Sequence, residues 1–258
     1  MAKKTLPVLR SLSGWFGGRP TPAAVEDAGD LRHMRFGHGA VQSTMRLSAP
    51  DALELSYTRA MMGLLLFVPA PRHILMIGLG GGSLAKFCYR ELPQARITVV
   101  EIDAAVIAMR DQFRIPADDA RLSVVQADGC DYLARPTTPA DVILVDGYDA
   151  SGLPACLCSE EFYAHCRRAL TPQGVLVCNF WGRDAGRETF VYRMRHVFGA
   201  AVRWSRPPQS SGLITYAPMG PLAPLVEMAR RAEALDAHHD LGLQAVARDL
   251  REPPPLDD

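Results

Sequence analysis

From His73 onward, short apolar runs recur at regular intervals: HILMIGL, ARITVVEI, RLSVVQA, ADVILVD and GVLVCNF. They are rich in Val and Ile and about as long as strands buried on both faces. Between them lie SLAKFCYREL, DAAVIAMRDQF and SEEFYAHCRRAL, whose spacing predicts helices. Such alternation predicts βαβ units and a parallel sheet covered on both sides. RETFVYRMRHVFG reads as a further helix, AVRWS and GLITYAP as later strands, and PLAPLVEMARRAEALDAHHDLGLQAVARDL as one or two closing helices. Before His73 the pattern differs. From about residue 35 to 56, polar and apolar positions alternate between turn residues, as short antiparallel strands do. YTRAMMGLLLF then predicts a helix stopped at Pro69-Ala70-Pro71. The expected architecture is a doubly wound α/β domain with a small β-rich N-terminal addition.

The expected organisation has four parts. Residues 1–34 form a mobile tail, since Gly14, Gly17, Gly18, Pro20 and Pro22 crowd together. Residues 35–70 hold the β-rich region and its helix, and 71–250 the sheet domain. Residues 251–258, REPPPLDD, fray as a second tail. A chain of 258 residues can bury a sizeable core.

Composition removes several function classes. The 28 basic side chains balance 28 acidic ones, against the basic excess of a nucleic-acid binder. Met61 to Val68 is far shorter than the ~18 apolar residues that argue for a membrane span. The first twenty residues carry four basic and no acidic side chains, but their apolar stretches are broken and no A-x-A-like cleavage site follows. The six cysteines, 88, 130, 156, 158, 166 and 178, read as reduced thiols. The expectation is a soluble, cytoplasmic protein. Cys156-x-Cys158 lacks the second pair and the spacing of a structural zinc site, so no metal is expected. Trp15, Trp181 and Trp204 are scattered and read as packing residues.

Four motifs carry candidate chemistry. Gly78-Leu79-Gly80-Gly81-Gly82-Ser83 follows the first parallel strand and opens a helix, where glycines let backbone approach a ligand. Turn and packing needs also use glycine. Glu101 ends the next strand, roughly 20 residues on, where an acid can hold ribose hydroxyls. It could instead cap the helix near Asp103, but Asp103 is the better-placed N-cap. Asp128-Gly129 ends RLSVVQA; Asp128 can accept from an amino group of a base, or cap the helix through Tyr132, and the two readings are even. Asp146-Gly147-Tyr148-Asp149 ends ADVILVD, where two acids can grip a cation or take a proton, or simply shape a turn.

In this order the motifs resemble the spermidine synthase family, the polyamine aminopropyltransferases. The likeness runs from about Val41 to Gly212. VQS and SYTR match its VQ and Y-[HQ]-E elements, VEIDAAVI its VEID-x-x-VI, ADG its GDG, and VILVDGYD its acid-x-x-acid motif. SEEFYAHCRRALTPQGVLV matches the helix and strand that follow.

The resemblance implies a Rossmann-like, class I methyltransferase-like sheet. It also implies transfer of an aminopropyl group from decarboxylated S-adenosylmethionine to a small-molecule amine acceptor. Carried over by position, Gln42, Gly78, Gly80, Glu101, Asp128 and Gly129 bind the donor. Asp146 and Tyr57 are catalytic, and Asp149 binds the amine. Neither nucleic acid nor membrane is an expected partner; a homodimer stays open.

The chain departs from the family at four positions. Gly81 stands where the glycine loop has its Asp, Arg59 where Y-[HQ]-E has its acid, Ala150 where a Pro follows the acid pair, and Gln209 where a tyrosine faces the acceptor. These changes predict a less anionic amine pocket and an altered acceptor or donor tail. Three alternatives follow. Gly81 favours a methyltransferase using intact S-adenosylmethionine. A silent nucleoside-binding module is opposed by the retained Asp146 and Asp149. An NAD dehydrogenase would need glycine at Ser83.

Overall fold

The computed structural model describes residues 23–36, 41–149, 152–181, 186–208 and 210–253. Strands β1 (Ala23–Ala28), β2 (Leu31–Phe36) and β3 (Val41–Arg46) form a three-stranded antiparallel sheet in sequence order. Ordered strands therefore begin at Ala23, inside the segment expected to be a mobile tail to residue 34. The cause is local pairing: Arg32 chelates Asp27 with two 2.7 Å bonds across the hairpin, and Arg35 reaches Glu26. Buried Met34 and Met45 then dock the sheet on the main core.

Helices α1 (Ser56–Met61) and α2 (Leu64–Phe67) lead into the large sheet, which alternates β4 (His73–Ile77), α3 (Ser83–Glu91), β5 (Arg96–Glu101), α4 (Ala104–Ala108), β6 (Leu122–Gln126), α5 (Gly129–Ala134) and β7 (Ala140–Val145). A 3₁₀ turn over Ala155–Cys158 precedes α6 (Glu160–Ala169) and β8 (Leu170–Phe180). Then come α7 (Arg187–Phe198), β9 (Arg203–Ser205), β10 (Leu213–Pro218), α8 (Leu225–His239) and α9 (Leu243–Arg248). At the far end, Arg251 pairs with Trp204 through both backbone groups, so the chain stays attached just past the expected domain limit at 250.

The seven strands lie in the order β6-β5-β4-β7-β8-β10-β9. β6 through β8 are parallel, and β10 is antiparallel to both neighbours. Period-two alternation in fully buried strands feeds a core on each face. Ile74, Met76, Val142 and Leu144 point into one; Leu75, Ile77, Ile143 and Val145 point into the other. The chain runs outward from β4 to β6, then returns to place β7 on the other side of β4. That reversal opens a crevice beyond the carboxyl ends of β4 and β7. Among the described residues no helix is long and apolar enough to cross a membrane.

Candidate active site

The crevice holds a cavity of about 470 Å³. Its wall includes Gln42, Tyr57, Gly78, Gly80, Glu101, Asp128, Gly129, Asp146 and Asp149, every site residue singled out from the sequence. Four come from the ends of consecutive parallel strands, and Gln42 comes from β3, which closes the opposite side.

The glycine loop sits tightly on β7. Gly78 has φ +97°, and a Cβ there would lie 2.3 Å from the Asp146 carbonyl oxygen. Any side chain would push the loop off the Asp146 backbone, whose N–H donates to the Ile77 carbonyl at 2.9 Å. Glu101 holds the loop from the other side. Its carboxylate accepts from Leu79 N–H at 2.8 Å and from Asp103 N–H at 2.9 Å. Only 8% exposed, it has its pKa pushed up by burial, against the pull of those backbone donors. Asp103 caps α4 through Ala105 N–H, which leaves Glu101 facing the cavity. Asp128 takes the capping role that the sequence allowed and stands at the cavity. Its Oδ1 caps α5, accepting from Cys130 and Asp131 N–H, while the residue also lines the cavity.

Asp146 occupies the centre. Asn179 Nδ2 donates to its Oδ1 at 2.9 Å, and the Tyr57 hydroxyl is a second partner. Burial pushes its carboxyl up, and these two hydrogen bonds hold it down. Burial, then the neighbouring Asp146 charge, raises the Tyr57 hydroxyl well above its ordinary value, so it stays a protonated donor. Asn179 had no sequence signal: it is one polar residue near the end of an apolar strand. Trp181 was read as packing, yet it is 47% exposed and lines the cavity. It stands edge-on to Tyr148 at 6.4 Å and 86°, and its N–H donates to the Tyr148 hydroxyl at 2.6 Å. That hydroxyl donates in turn to the Asn179 carbonyl at 3.1 Å.

Two expected departures take a different form. Arg59 adds no positive charge to the cavity wall. It lies outside the cavity wall, and its Nη1 donates to the Leu53 and Glu54 carbonyls at 2.6 and 2.8 Å. Gly81 is not an open position awaiting a carboxylate. A Cβ there would lie 2.6 Å from Ser43 Oγ and 2.8 Å from the Phe113 ring. Ala150 and Gln209 lie outside the described residues.

The described wall therefore carries five carboxyl groups, Glu101, Asp103, Asp128, Asp146 and Asp149, and no Lys, Arg or His. Such a cavity attracts cations and repels carboxylates.

Residues 54–188 match the model of the spermine/spermidine synthase domain. The polyamine aminopropyltransferase of Chromobacterium violaceum is 42% identical over 179 residues, 69% of this chain and 69% of that protein. Among solved structures, a probable spermidine synthase from Corynebacterium glutamicum superposes with a TM-score of 0.70 at 22% identity, covering 81% of this chain and 83% of its own. Human methyltransferase-like protein 13, in complex with SAH, gives 0.62 at 26% identity over 79% and 96%. The fold is thus shared with methyltransferases, whereas the family match is carried by the sequence through the site. The chain belongs to the spermine/spermidine synthase family.

Proposed function

We propose that the chain is an aminopropyltransferase that moves the aminopropyl group of decarboxylated S-adenosylmethionine to an amine. The observation that carries the donor assignment is the cavity wall, with five acids and no basic side chain among the described residues. The donor is a sulfonium with a terminal ammonium, and the acceptor is an ammonium. Both are cations, and both gain from this field. Intact S-adenosylmethionine adds a carboxylate for which the described lining offers no basic side chain, so the methyl-transfer alternative has no such support.

Glu101 and Asp128 hold the nucleoside, with Gln42, Gly78, Gly80 and Gly129 shaping its seat. An amine with a pKa of about 10 arrives protonated and must lose its proton before attacking the methylene beside the sulfonium. Asp146 accepts that proton. Its raised pKa makes it a stronger base than an exposed aspartate, and Tyr57 and Asn179 fix the orientation of its oxygens. Asp149 holds the amine's far end. The nitrogen lone pair forms the new C–N bond as the C–S bond breaks, and a neutral thioether nucleoside leaves.

The proposal is tested by thermal stabilisation with decarboxylated against intact S-adenosylmethionine, followed by turnover over a panel of amines. A ligand that binds only the native state raises its stability. The expected result is stabilisation by the decarboxylated donor in preference to the intact one, with transfer to at least one amine of the panel. Preference for the intact cofactor overturns the donor assignment, and the absence of transfer to any amine overturns the reaction.

A further inference from the structure

Of the six cysteines, Cys88, Cys158, Cys166 and Cys178 are buried, Cys130 is half-buried and Cys156 is exposed. The two accessible thiols are neighbours. Cys130 lies in the first turn of α5 and Cys156 in the 3₁₀ turn Ala155–Cys158, and these two elements pack together. Each thiol is the other's strongest electrostatic neighbour. Cys156 lines the cavity, as do Asp128 and Gly129, the residues just before Cys130. Nothing in the transfer reaction uses either sulfur.

We propose that Cys130 and Cys156 form a modification site in the nucleoside end of the cavity, a dithiol that reacts with small-molecule disulfides and closes to an intramolecular disulfide. Cys156 is the attacking sulfur. It is the exposed member and lines the cavity, and the neighbouring Cys130 thiol holds its pKa below the ordinary cysteine range, which favours the reactive thiolate. The thiolate attacks one sulfur of the small disulfide, whose S–S bond breaks and whose other half leaves as a thiolate that takes a proton from water. Cys130 then gives its proton to solvent and attacks the Cys156 sulfur, expelling the second half as a thiol. The protein loses two hydrogens, and the small disulfide is reduced to two thiols.

The buried cysteines are internal controls. Burial raises the Cys88, Cys166 and Cys178 thiols, keeping them protonated and out of reach of solvent. The product ties α5 to the 3₁₀ turn across the wall that carries Asp128. The mixed disulfide at Cys156 fills the cavity before the second step.

The site is tested on the full chain, reduced, freed of reductant and exposed to oxidised glutathione. Peptide mapping without reductant is expected to find Cys130 linked to Cys156. Cys130→Ser is expected to trap glutathione on Cys156, and Cys156→Ser to give neither link nor adduct while keeping its circular dichroism spectrum. The thioether nucleoside left by the donor, added at ten times its dissociation constant, is expected to slow Cys156 modification by about tenfold, as mass action requires for a shared site. Modification of a buried cysteine first, or no Cys130–Cys156 link in the folded protein, overturns the proposal. Linkage unaffected by bound nucleoside overturns its placement in the nucleoside end. If the nucleoside does not bind at all, the proposed function fails, and the dithiol is judged on its linkage alone.

Discussion

Asp146 and Glu101 are both acids that the fold makes harder to ionise, and they are held by different kinds of donor. Glu101 is bound by backbone N–H groups of Leu79 and Asp103, so its geometry is set by the sheet and the glycine loop. Glu101→Gln removes the charge and presents an amide to at least one of those donors. Nucleoside affinity measured by calorimetry should fall by about 1–3 kcal/mol, the range for a hydrogen bond to a charged group or an unsatisfied buried one. Unchanged affinity in a folded variant rules out the ribose role. Asp146 is held by side chains from other elements, Asn179 on β8 and Tyr57 on α1. Asp146→Asn should lower turnover by about 10²–10⁴-fold, the usual span for loss of a general base. The pH profile gives a separate reading. A base must be ionised to act, so kcat/KM should fall as pH drops through the raised Asp146 pKa. Asn179 stabilises the ionised form; Asn179→Leu should therefore move that acid limb to higher pH. An acid limb that stays in place removes Asn179 as a positioning residue.

The β3 strand and the glycine loop constrain each other, which is where one family departure becomes physical. Ser43 and Phe113 occupy the space into which a Gly81 side chain would grow. Gly81→Ala should destabilise the fold by about 1–3 kcal/mol, as overpacking does. Adding Ser43→Gly should recover part of that loss, measured by urea unfolding of both single variants and the pair. A fully additive pair would mean that Ser43 is not the obstacle. From the sequence, Gly81 read only as a missing charge, because chain order does not reveal which neighbour has filled a gap. The strands β4, β5, β7 and β8 could be read from their apolar runs because burial on both faces leaves little polar interruption, and the half-buried edge strand β6 from its Val pair. Glu101, Asp128 and Asp146 could be read because each ends such a run. The N-terminal hairpin could not. Only one residue of AAVEDA, Val25, is large and apolar, most of its positions are exposed, and ion pairs tie it across the hairpin to β2. Arg59, Asn179 and Trp181 were misread or missed for a related reason. A side chain's direction at the end of an element depends on partners far along the chain.

The candidate site lies at the strand reversal between β4 and β7, while stability rests on two cores separated by the sheet. One ionisable group lies inside a core without any part in the chemistry. Lys86, 1% exposed, is the sole lysine among the described residues, and its Nζ donates to the Phe113 carbonyl at 2.8 Å. It joins α3 to the segment that also covers Gly81. Burial lowers its pKa to about 8 from 10.5; Asp51 works to raise it, and Arg114 to lower it further. Between those two pH values the unfolded chain binds a proton at Lys86 that the folded chain has released. Stability from this group therefore rises with pH across the window. Below about pH 8 the full cost of burying the charge is present, and above 10.5 it is gone. The change is on the order of 3 kcal/mol, at about 1.4 kcal/mol per pKa unit. Cys88, Cys166 and Cys178 act in the opposite direction. Their buried thiols stay protonated at pH values where unfolded thiols ionise, so their contribution falls as pH rises. Comparing wild type with Lys86→Met cancels those thiols, which both proteins share. From pH 8 to 10.5, wild-type stability in urea should improve relative to the variant by that amount. If the two stability curves run parallel through the window, Lys86 is not buried as a charged group at neutral pH, and the bond to Phe113 is not what joins α3 to its neighbour.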